Sequence, residues 1–125
     1  MLRIEIPGLP PFACSQNARL DKYARARAVK DYRQQVRYMA IDARNRSECP
    51  ARWHNIDKAK VCVTFVVPDN RRRDKGNLSG AFKPALDALV DAAILVDDSW
   101  QHCDDMYHIR YEKGVSMTIV EVSDC

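Results

Sequence analysis

The residues of this chain that could do chemistry are acidic side chains set beside dense positive charge. Asp74 directly follows a run of arginines, and Asp97 and Asp98 form an acidic pair further along the chain. Carboxylate oxygens are ligands that Mg²⁺ prefers, usually one or two from the protein with water and phosphate oxygens completing the shell. Such a site suits phosphodiester hydrolysis, in which the metal activates water. The cations that could neutralise the phosphates are Arg71, Arg72, Arg73, Lys75 and Lys83.

A strand and a helix must position these acids. The segment from Lys60 to Val67 is rich in β-branched apolar residues and predicts a central strand that ends before Asp74. Apolar residues recur at helical spacing from Leu78 to Ala93 and predict a helix that leads to the acidic pair. If that helix packs back along the sheet, the acids from the two segments meet at one edge.

Proline and glycine complicate the entry to this second helix. Pro84 either kinks the helix, or it occupies a first turn and leaves residues 77–82 as a separate turn. Gly76 and Gly80 could serve the backbone by adopting a positive φ or by allowing close approach to DNA.

The remaining periodicities complete the fold. Alternation in residues 2–6 predicts a half-buried strand, and helical spacing over residues 23–46 predicts a long amphipathic helix with a basic side. Two further alternating stretches, 106–112 and 115–122, predict a hairpin joined across Lys113 and Gly114. The order β, α, β, α, β, β predicts an α+β class, with two main helices packed on a small mixed sheet.

Composition limits the number of domains and the classes of protein to which the chain can belong. The 125 residues and the 46% hydrophobic content fit a single domain over 1–125, and a net charge of +3 says little about partners. Five cysteines without a CxxC pair indicate reduced thiols in a cytoplasmic protein. No apolar run reaches the roughly 20 residues of a membrane span, so we expect no membrane partner.

A simpler interpretation of the acids remains open. Asp74 could merely balance the arginines before it, and Asp97 and Asp98 could make a turn. The charge pattern alone favours this interpretation. Lys83 could likewise form an ordinary i,i+4 pair with Asp87, worth a few tenths of a kcal/mol.

The order of the motifs adds a resemblance. The stretch PDNRRRD, a following asparagine and FKPALDALVDAAILVDDS resemble the RusA family of Holliday junction resolvases, whose signature combines an arginine-rich strand end, Asp-x-Asp-Asn-Leu, a helix with a lysine, and a closing Asp-Asp. The stretches IEIPGLPPFACSQN and KDYRQQVRYMAIDA are similar to that family's opening strand and loop and to its long helix. The resemblance covers nearly the whole chain, and its central block is the specific part.

This resemblance implies a homodimeric endodeoxyribonuclease that introduces paired nicks into four-way junctions or other branched DNA. The cofactor would be Mg²⁺, with Mn²⁺ as a substitute, and the setting would be recombination, repair or phage DNA processing, since family members often sit in prophages. The implied catalytic residues are Asp74, Asp98 and Lys83. The implied metal ligands are Asp74, Asp98 and Asp97. The expected DNA-binding residues are Arg71, Arg72, Arg73, Lys75 and Asn77, helped by the basic side of the first long helix at Arg19, Lys22, Arg25, Arg27 and Lys30.

Gly76 departs from the family pattern, because it stands where the second aspartate of Asp-x-Asp is expected. The site could work with fewer protein ligands, or Asp69 or Asp87 could compensate. The alternative is a catalytically weak or inactive protein that binds junctions. A homodimeric module for a protein partner also remains open, and it predicts no salt-sensitive DNA binding. A Mg²⁺-dependent phosphatase or nucleotide hydrolase is a further alternative, although the chain contains no P-loop motif.

Overall fold

Four strands form one mixed sheet whose order is β1-β4-β2-β3. The computed structural model describes residues 1–15 and 18–124, so the asparagine at position 17 of the family-like opening and Cys125 lie outside the described residues. The elements are β1 (Leu2–Pro7), α1 (Lys22–Arg46), β2 (Ala59–Val67), α2 (Lys75–Ala81), α3 (Lys83–Asp91), β3 (Cys103–Tyr111) and β4 (Met117–Asp124). The prediction of an α+β fold with helices on a small mixed sheet is confirmed.

The helices cover one face of the sheet, which is called the inner face below. Side chains alternate along a strand, so Leu2, Ile4 and Ile6 point to the inner face and are buried, while Arg3 and Glu5 are exposed. From α1, Tyr32, Val36 and Ala40 pack into the same core at a spacing of four residues. The alternation and the helical spacing thus place a single core between the sheet and the helices.

Local hydrogen bonds explain where α1 begins and ends. The carboxylate of Asp21 accepts a hydrogen bond of 2.7 Å from the amide of Ala24, which satisfies a donor of the first turn. At the other end, the Ser47 hydroxyl donates to the carbonyl of Arg44. The Arg44 guanidinium in turn donates to the carbonyl of Ala92 at 2.6 Å, which fixes the end of α1 against the end of α3.

The predicted hairpin is wrong, because β3 and β4 lie on opposite sides of β2. β3 runs parallel to β2, and β4 runs antiparallel to both β2 and β1. The connection between β3 and β4 passes over the end of β2, where Glu112 donates to Val67 and Gly114 donates to Pro68 through the backbone. Alternation identified the strands correctly, but it carries no information about which strand is the neighbour.

The segment between β2 and β3 contains two short helices. Pro84 lies in the first turn of α3, so of the two predicted arrangements the structure has the one with a separate preceding turn. That preceding turn is the helix α2, and Phe82 lies at the junction, fully buried. Its ring meets Phe65 and Tyr107 edge to face, with centroids 6.1 and 6.0 Å away. This aromatic group fixes the helix junction to the sheet.

Of the two roles considered for Gly76 and Gly80, a positive φ is excluded, because both residues lie within α2, and close approach to DNA stays a prediction. The glycines with positive φ are Gly8 and Gly114, at 81° and 75°, in the connections at the ends of β1 and β3. Helical backbone is open to any residue, so conformational freedom does not explain the glycines of α2.

Membrane-spanning helices, disulfides and ion pairs between helices were also considered for the described residues. No helix within residues 1–15 and 18–124 has both the length and the apolar character to cross a membrane. None of the cysteines in that part of the chain forms a disulfide. The guanidinium of Arg33 in α1 donates two hydrogen bonds of 2.5 and 2.8 Å to the Asp91 carboxylate, and this pair connects α1 to α3.

Candidate functional site

Asp74 caps the helix α2. Its backbone is extended, and its carboxylate accepts a hydrogen bond of 2.7 Å from the amide of Gly76. Aspartate is a preferred residue at this position because its oxygen satisfies a helix donor that lacks an internal partner. The carboxylate of Asp74 is therefore directed at the first turn of α2, although the residue itself is exposed.

Lys83 connects the start of α3 to the acidic turn. Its ammonium group donates to the carboxylate of Asp87 at 3.0 Å, which is the i,i+4 pair considered above. The same group forms an ion pair with the carboxylate of Asp98, whose side chain is only 23% exposed. Two of the three residues implied as catalytic are thus in direct contact.

Asp97 stays at the surface beside this pair. Its carboxylate accepts a hydrogen bond of 2.9 Å from the amide of Asp98, so it shapes the turn that presents Asp98. This is the turn-forming role of the simpler interpretation.

A cleft of about 480 Å³ lies between the helices and β3. Gly76, Asn77 and Gly80 of α2 line it, together with Lys83 and with Asp105 of β3. A Cβ atom placed on Gly80 would meet no atom within 4 Å, which agrees with open space at this wall. A second hollow of about 390 Å³ is lined by Asp98, Trp100 and Asp104, and again by Asp105.

Asp105 is the residue that sequence reasoning missed. It lines both hollows, with Lys83 on the wall of one and Asp98 on the wall of the other. It points to the inner face because it lies opposite Val61 in the parallel pairing of β2 and β3. A polar residue at an inward position of an alternating strand was the available signal, but that signal depends on the correct strand neighbour.

Tyr107 fixes the position of the Asp105 carboxylate by a hydrogen bond. Its hydroxyl donates to that carboxylate at 2.7 Å, and its ring stacks on Phe65 in the core. Burial raises the pKa of Tyr107 far above its ordinary value, and the neighbouring Asp105 adds to this. The phenol therefore stays protonated and remains a hydrogen-bond donor.

The three arginines before Asp74 differ in their surroundings. Arg73 has a side chain only 12% exposed, and its guanidinium binds the carboxylate of Asp69 at 2.8 Å. The same group also reaches the backbone carbonyls of Asp69 and Arg71, each at 3.2 Å, so it shapes the loop. Arg71 and Arg72 are exposed, as are Lys75 and Asn77 on α2. The hydrogen bonds from Arg73 and from the Arg71 amide hold the pKa of Asp69 below its usual value.

The carboxylates considered as replacements at Gly76 already have cationic partners. Asp69 is bound by Arg73, and Asp87 is bound by Lys83 with Arg33 at 3.9 Å. A Cβ atom on Gly76 would lie 3.1 Å from the capping oxygen of Asp74, so a larger residue there requires that carboxylate to move.

The donor set fits only a sparse metal site. Across residues 1–15 and 18–124, no group of three or more histidine, cysteine, aspartate or glutamate side chains is arranged to hold a metal ion. Asp98, Asp104 and Asp105 line one hollow without forming such a group, and one or two carboxylates are the usual protein contribution to Mg²⁺, whose shell keeps several waters. The arrangement thus suits a water-rich Mg²⁺ site and does not suit a closed one.

The basic residues of α1, like the three arginines before Asp74, differ in their surroundings. Arg33 and Arg44 serve the packing of α1 on α3, whereas Arg19, Lys22, Arg27 and Lys30 are exposed near its beginning. Arg25 is partly buried. Phe12, which precedes them in a short 3₁₀ turn, has 72% of its surface exposed. These residues form an exposed basic surface with two exposed aromatic rings, since 71% of the surface of Tyr23 is also exposed.

Comparison of the sequence with known protein families finds no match, and comparison with curated proteins finds no significant relative. The likeness to the RusA family accordingly rests on the motif residues themselves.

Proposed function

We propose that this protein binds four-way junctions or otherwise branched DNA and cleaves it by Mg²⁺-dependent phosphodiester hydrolysis. The observation that carries the proposal is the ion pair between Lys83 and Asp98. It joins the residue that resembles the family lysine to the residue that resembles a family aspartate, at the edge of an open cleft. A cation and a carboxylate in direct contact between two neighbouring hollows suit a phosphate group and its metal.

Asp98 is the residue that would hold Mg²⁺, with Asp105 as the second carboxylate. When bound, Mg²⁺ neutralises charge on the phosphate and activates water. Asp74, which the resemblance also implies as a ligand, would first have to release the amide of Gly76. Tyr107 would keep the Asp105 carboxylate in place through its hydroxyl.

Lys83 has a separate role in this proposal. If Asp98 held a metal ion, the ammonium group of Lys83 would be available to a phosphate oxygen in the cleft that Lys83 and Asp105 line. A fixed positive charge beside the scissile phosphate stabilises the negative charge that develops during cleavage, and the loss of one such group costs about a hundredfold or more in rate.

The exposed cations support binding of the DNA backbone. Arg71, Arg72 and Lys75 lie at the entry to α2, and the exposed basic surface of α1 supplies a second set. Contacts of this kind bind phosphates without distinguishing bases, which suits an enzyme that recognises shape. Homodimerisation and a cytoplasmic location belong to this proposal as well.

Binding of junctions without cleavage is the second candidate function. Gly76 favours it, because the expected second aspartate is missing, and so does the lack of a three-carboxylate group among the described residues. The exposed cations would serve this function equally well.

Cleavage of a labelled synthetic four-way junction separates the two candidates. Wild type is expected to nick the junction symmetrically in Mg²⁺ or Mn²⁺, and linear duplex serves as the control substrate. Asp98→Asn and Lys83→Met should abolish or strongly reduce nicking. Asp42→Asn removes the same charge from a surface residue of α1 that pairs with Arg46, and it should leave the rate unchanged.

Gly76→Asp shows which candidate applies if wild type binds without cutting. Gain of cleavage in this variant would establish a binding protein with a degenerate site. Equal nicking by wild type and Asp98→Asn would contradict the proposed role of Asp98.

A further inference from the structure

Trp100 is an aromatic side chain that stands in solvent beside the candidate site. It has 79% of its surface exposed, which makes it the most exposed large apolar side chain within residues 1–15 and 18–124. The other tryptophan of the chain, Trp53, is buried in the core and only 4% exposed. Tryptophan is on average a highly buried residue, so packing within the domain does not explain the position of Trp100.

The ring lies at the wall of the second hollow, among the carboxylates of the candidate site. Trp100 lines this hollow of about 390 Å³ together with Asp98, Asp104 and Asp105, and Lys58 lines it from the segment before β2. The hollow therefore combines one flat apolar surface, one cation and the acids of the site. A nucleotide presents the complementary groups, since its base has a flat π-face and its phosphate carries negative charge.

Backbone hydrogen bonds hold Trp100 and Lys58 in fixed positions. The carbonyl of Ser99 accepts from the amide of His102 at 2.9 Å, which closes a turn around Trp100. The carbonyl of His102 accepts from the amide of Ala59 at 2.9 Å, and Ala59 directly follows Lys58. A platform that is ordered before binding loses little entropy when its ligand arrives.

We infer that Trp100 stacks on an unpaired base of the DNA beside the position of cleavage, while Lys58 contacts a phosphate of the same strand. The inference rests on the proposed function and specifies its substrate class, which is branched DNA with an unpaired nucleotide next to the scissile phosphate. A base within a duplex is covered on both faces by its neighbours. Only an unpaired base can therefore offer a face to the ring.

The charges around Trp100 favour a base over other occupants. Three carboxylates lie in the same hollow, and Asp97 is exposed beside them. This negative charge repels an anionic lipid surface. An apolar protein segment would bury the carboxylates away from water, which is costly. A base is uncharged, so it can lie on the ring while its phosphate reaches Lys58.

The intrinsic fluorescence of the full chain measures this stacking directly, because Trp100 is accessible and Trp53 is not. The protein is titrated at low salt, with divalent metal chelated, against a single-stranded oligothymidine of about ten nucleotides. The anisotropy of a dye on the oligonucleotide measures binding independently. Tryptophan emission should be quenched as the protein is saturated. A strand of the same length without bases has the same charge but no π-face, and it should leave the emission unchanged.

Substitutions of the ring should change the affinity for single strands alone. Trp100→Ala should raise the dissociation constant for the oligothymidine about tenfold or more, because one stacking contact is lost. Trp100→Tyr keeps an aromatic face and should recover part of the affinity. Neither variant should change the affinity for linear duplex. Tyr38→Ala is the matched control, since Tyr38 is an aromatic residue of α1 with 60% of its surface exposed, and it should behave as wild type.

Several results would overturn the inference. They are saturation by the oligothymidine without quenching, equally tight binding of the strand without bases, and a Trp100→Ala variant that binds as tightly as wild type. Quenching by phosphatidylserine vesicles but not by the oligothymidine would overturn it in favour of a lipid surface. All of these leave the nicking experiment as a separate test of the proposed function. Failure to bind any DNA, including the four-way junction, would refute the inference and the proposed function together.

Discussion

Asp74 and Gly76 form one local unit at the start of α2, and its energetics can be worked out from two distances. The Gly76 amide donates to the Asp74 carboxylate at 2.7 Å, and a Cβ atom on Gly76 would lie 3.1 Å from the same oxygen. Gly80 belongs to the same helix, and a Cβ atom there would meet nothing within 4 Å. The two glycines therefore form a matched pair for substitution by alanine.

The expected free energies of unfolding follow from this difference. Gly80→Ala should stabilise the protein by about 0.5 to 1 kcal/mol, because alanine loses less backbone entropy in a helix. Gly76→Ala gains a similar amount but displaces the capping carboxylate, whose loss costs about 1 kcal/mol. The net change at Gly76 should thus be close to zero. Asp74→Ala should cost about 1 kcal/mol by itself.

A double-mutant cycle makes the expectation specific. In the Asp74→Ala background no cap remains to be displaced, so Gly76→Ala should gain about 0.5 to 1 kcal/mol there. Equilibrium unfolding in urea measures each free energy. Asp74→Asn is the control, since asparagine caps a helix about as well as aspartate and should change stability little.

Equal gains from Gly76→Ala and Gly80→Ala, together with no loss in Asp74→Ala, would refute the capping role. Asp74→Asn also separates structure from chemistry. If it leaves stability intact and abolishes nicking, Asp74 acts in the reaction as well as in the helix.

Three other predictions concern residues outside the cleft. Gly114→Ala should lower the free energy of unfolding by about 1 to 2 kcal/mol in urea, because φ at Gly114 is 75°; an unchanged midpoint would contradict this. Hydrogen bonds from Arg33 hold the pKa of Asp91 below its ordinary value of 3.8, so the pair stabilises the fold above about pH 4 and its contribution is lost as the pH falls through the lowered pKa. The stability difference between wild type and Asp91→Asn, about 0.5 kcal/mol for a partly exposed pair, should therefore vanish in acid unfolding series, and a constant difference would count against it. Peptide mapping after thiol labelling should find Cys49 modified well before Cys14, since Cys49 is exposed and burial raises the pKa of Cys14; the reverse order would contradict the burial of Cys14.

The elements of the fold were largely predictable from periodicity, but their arrangement was only partly so. Alternation located β1, β3 and β4, and helical spacing located α1, because each side chain responds to the face on which it lies. The run of β-branched apolar residues located β2. The neighbours of β4 were not predictable, since a hydrophobic face packs equally well beside any strand of the sheet. The crossing of the β3 to β4 connection over β2 depends on backbone hydrogen bonds at Val67 and Pro68, for which the sequence carries no pattern.

The candidate site likewise contains residues whose roles were predictable from the sequence and residues whose roles were not. The structure brings Lys83 and Asp98 into contact, whereas the meeting of Asp74 with the acidic pair at one edge stays a prediction. The difference between Arg73, which is engaged with Asp69, and the exposed Arg71 was not predictable from three identical side chains. The role of Asp105 was not predictable, because its place at the cleft follows from the parallel pairing of β2 with β3.

The proposed function is best tested by the affinity of the protein for a four-way junction relative to linear duplex, measured at several salt concentrations. The protein should bind the junction more tightly, with an affinity that falls as salt rises. Replacement of Arg71 and Arg72 by alanine should weaken binding to both DNAs and reduce the salt dependence by about one ion for each lost phosphate contact. Absence of junction binding at low salt, or binding that salt and these substitutions do not change, would refute the proposed recognition of branched DNA.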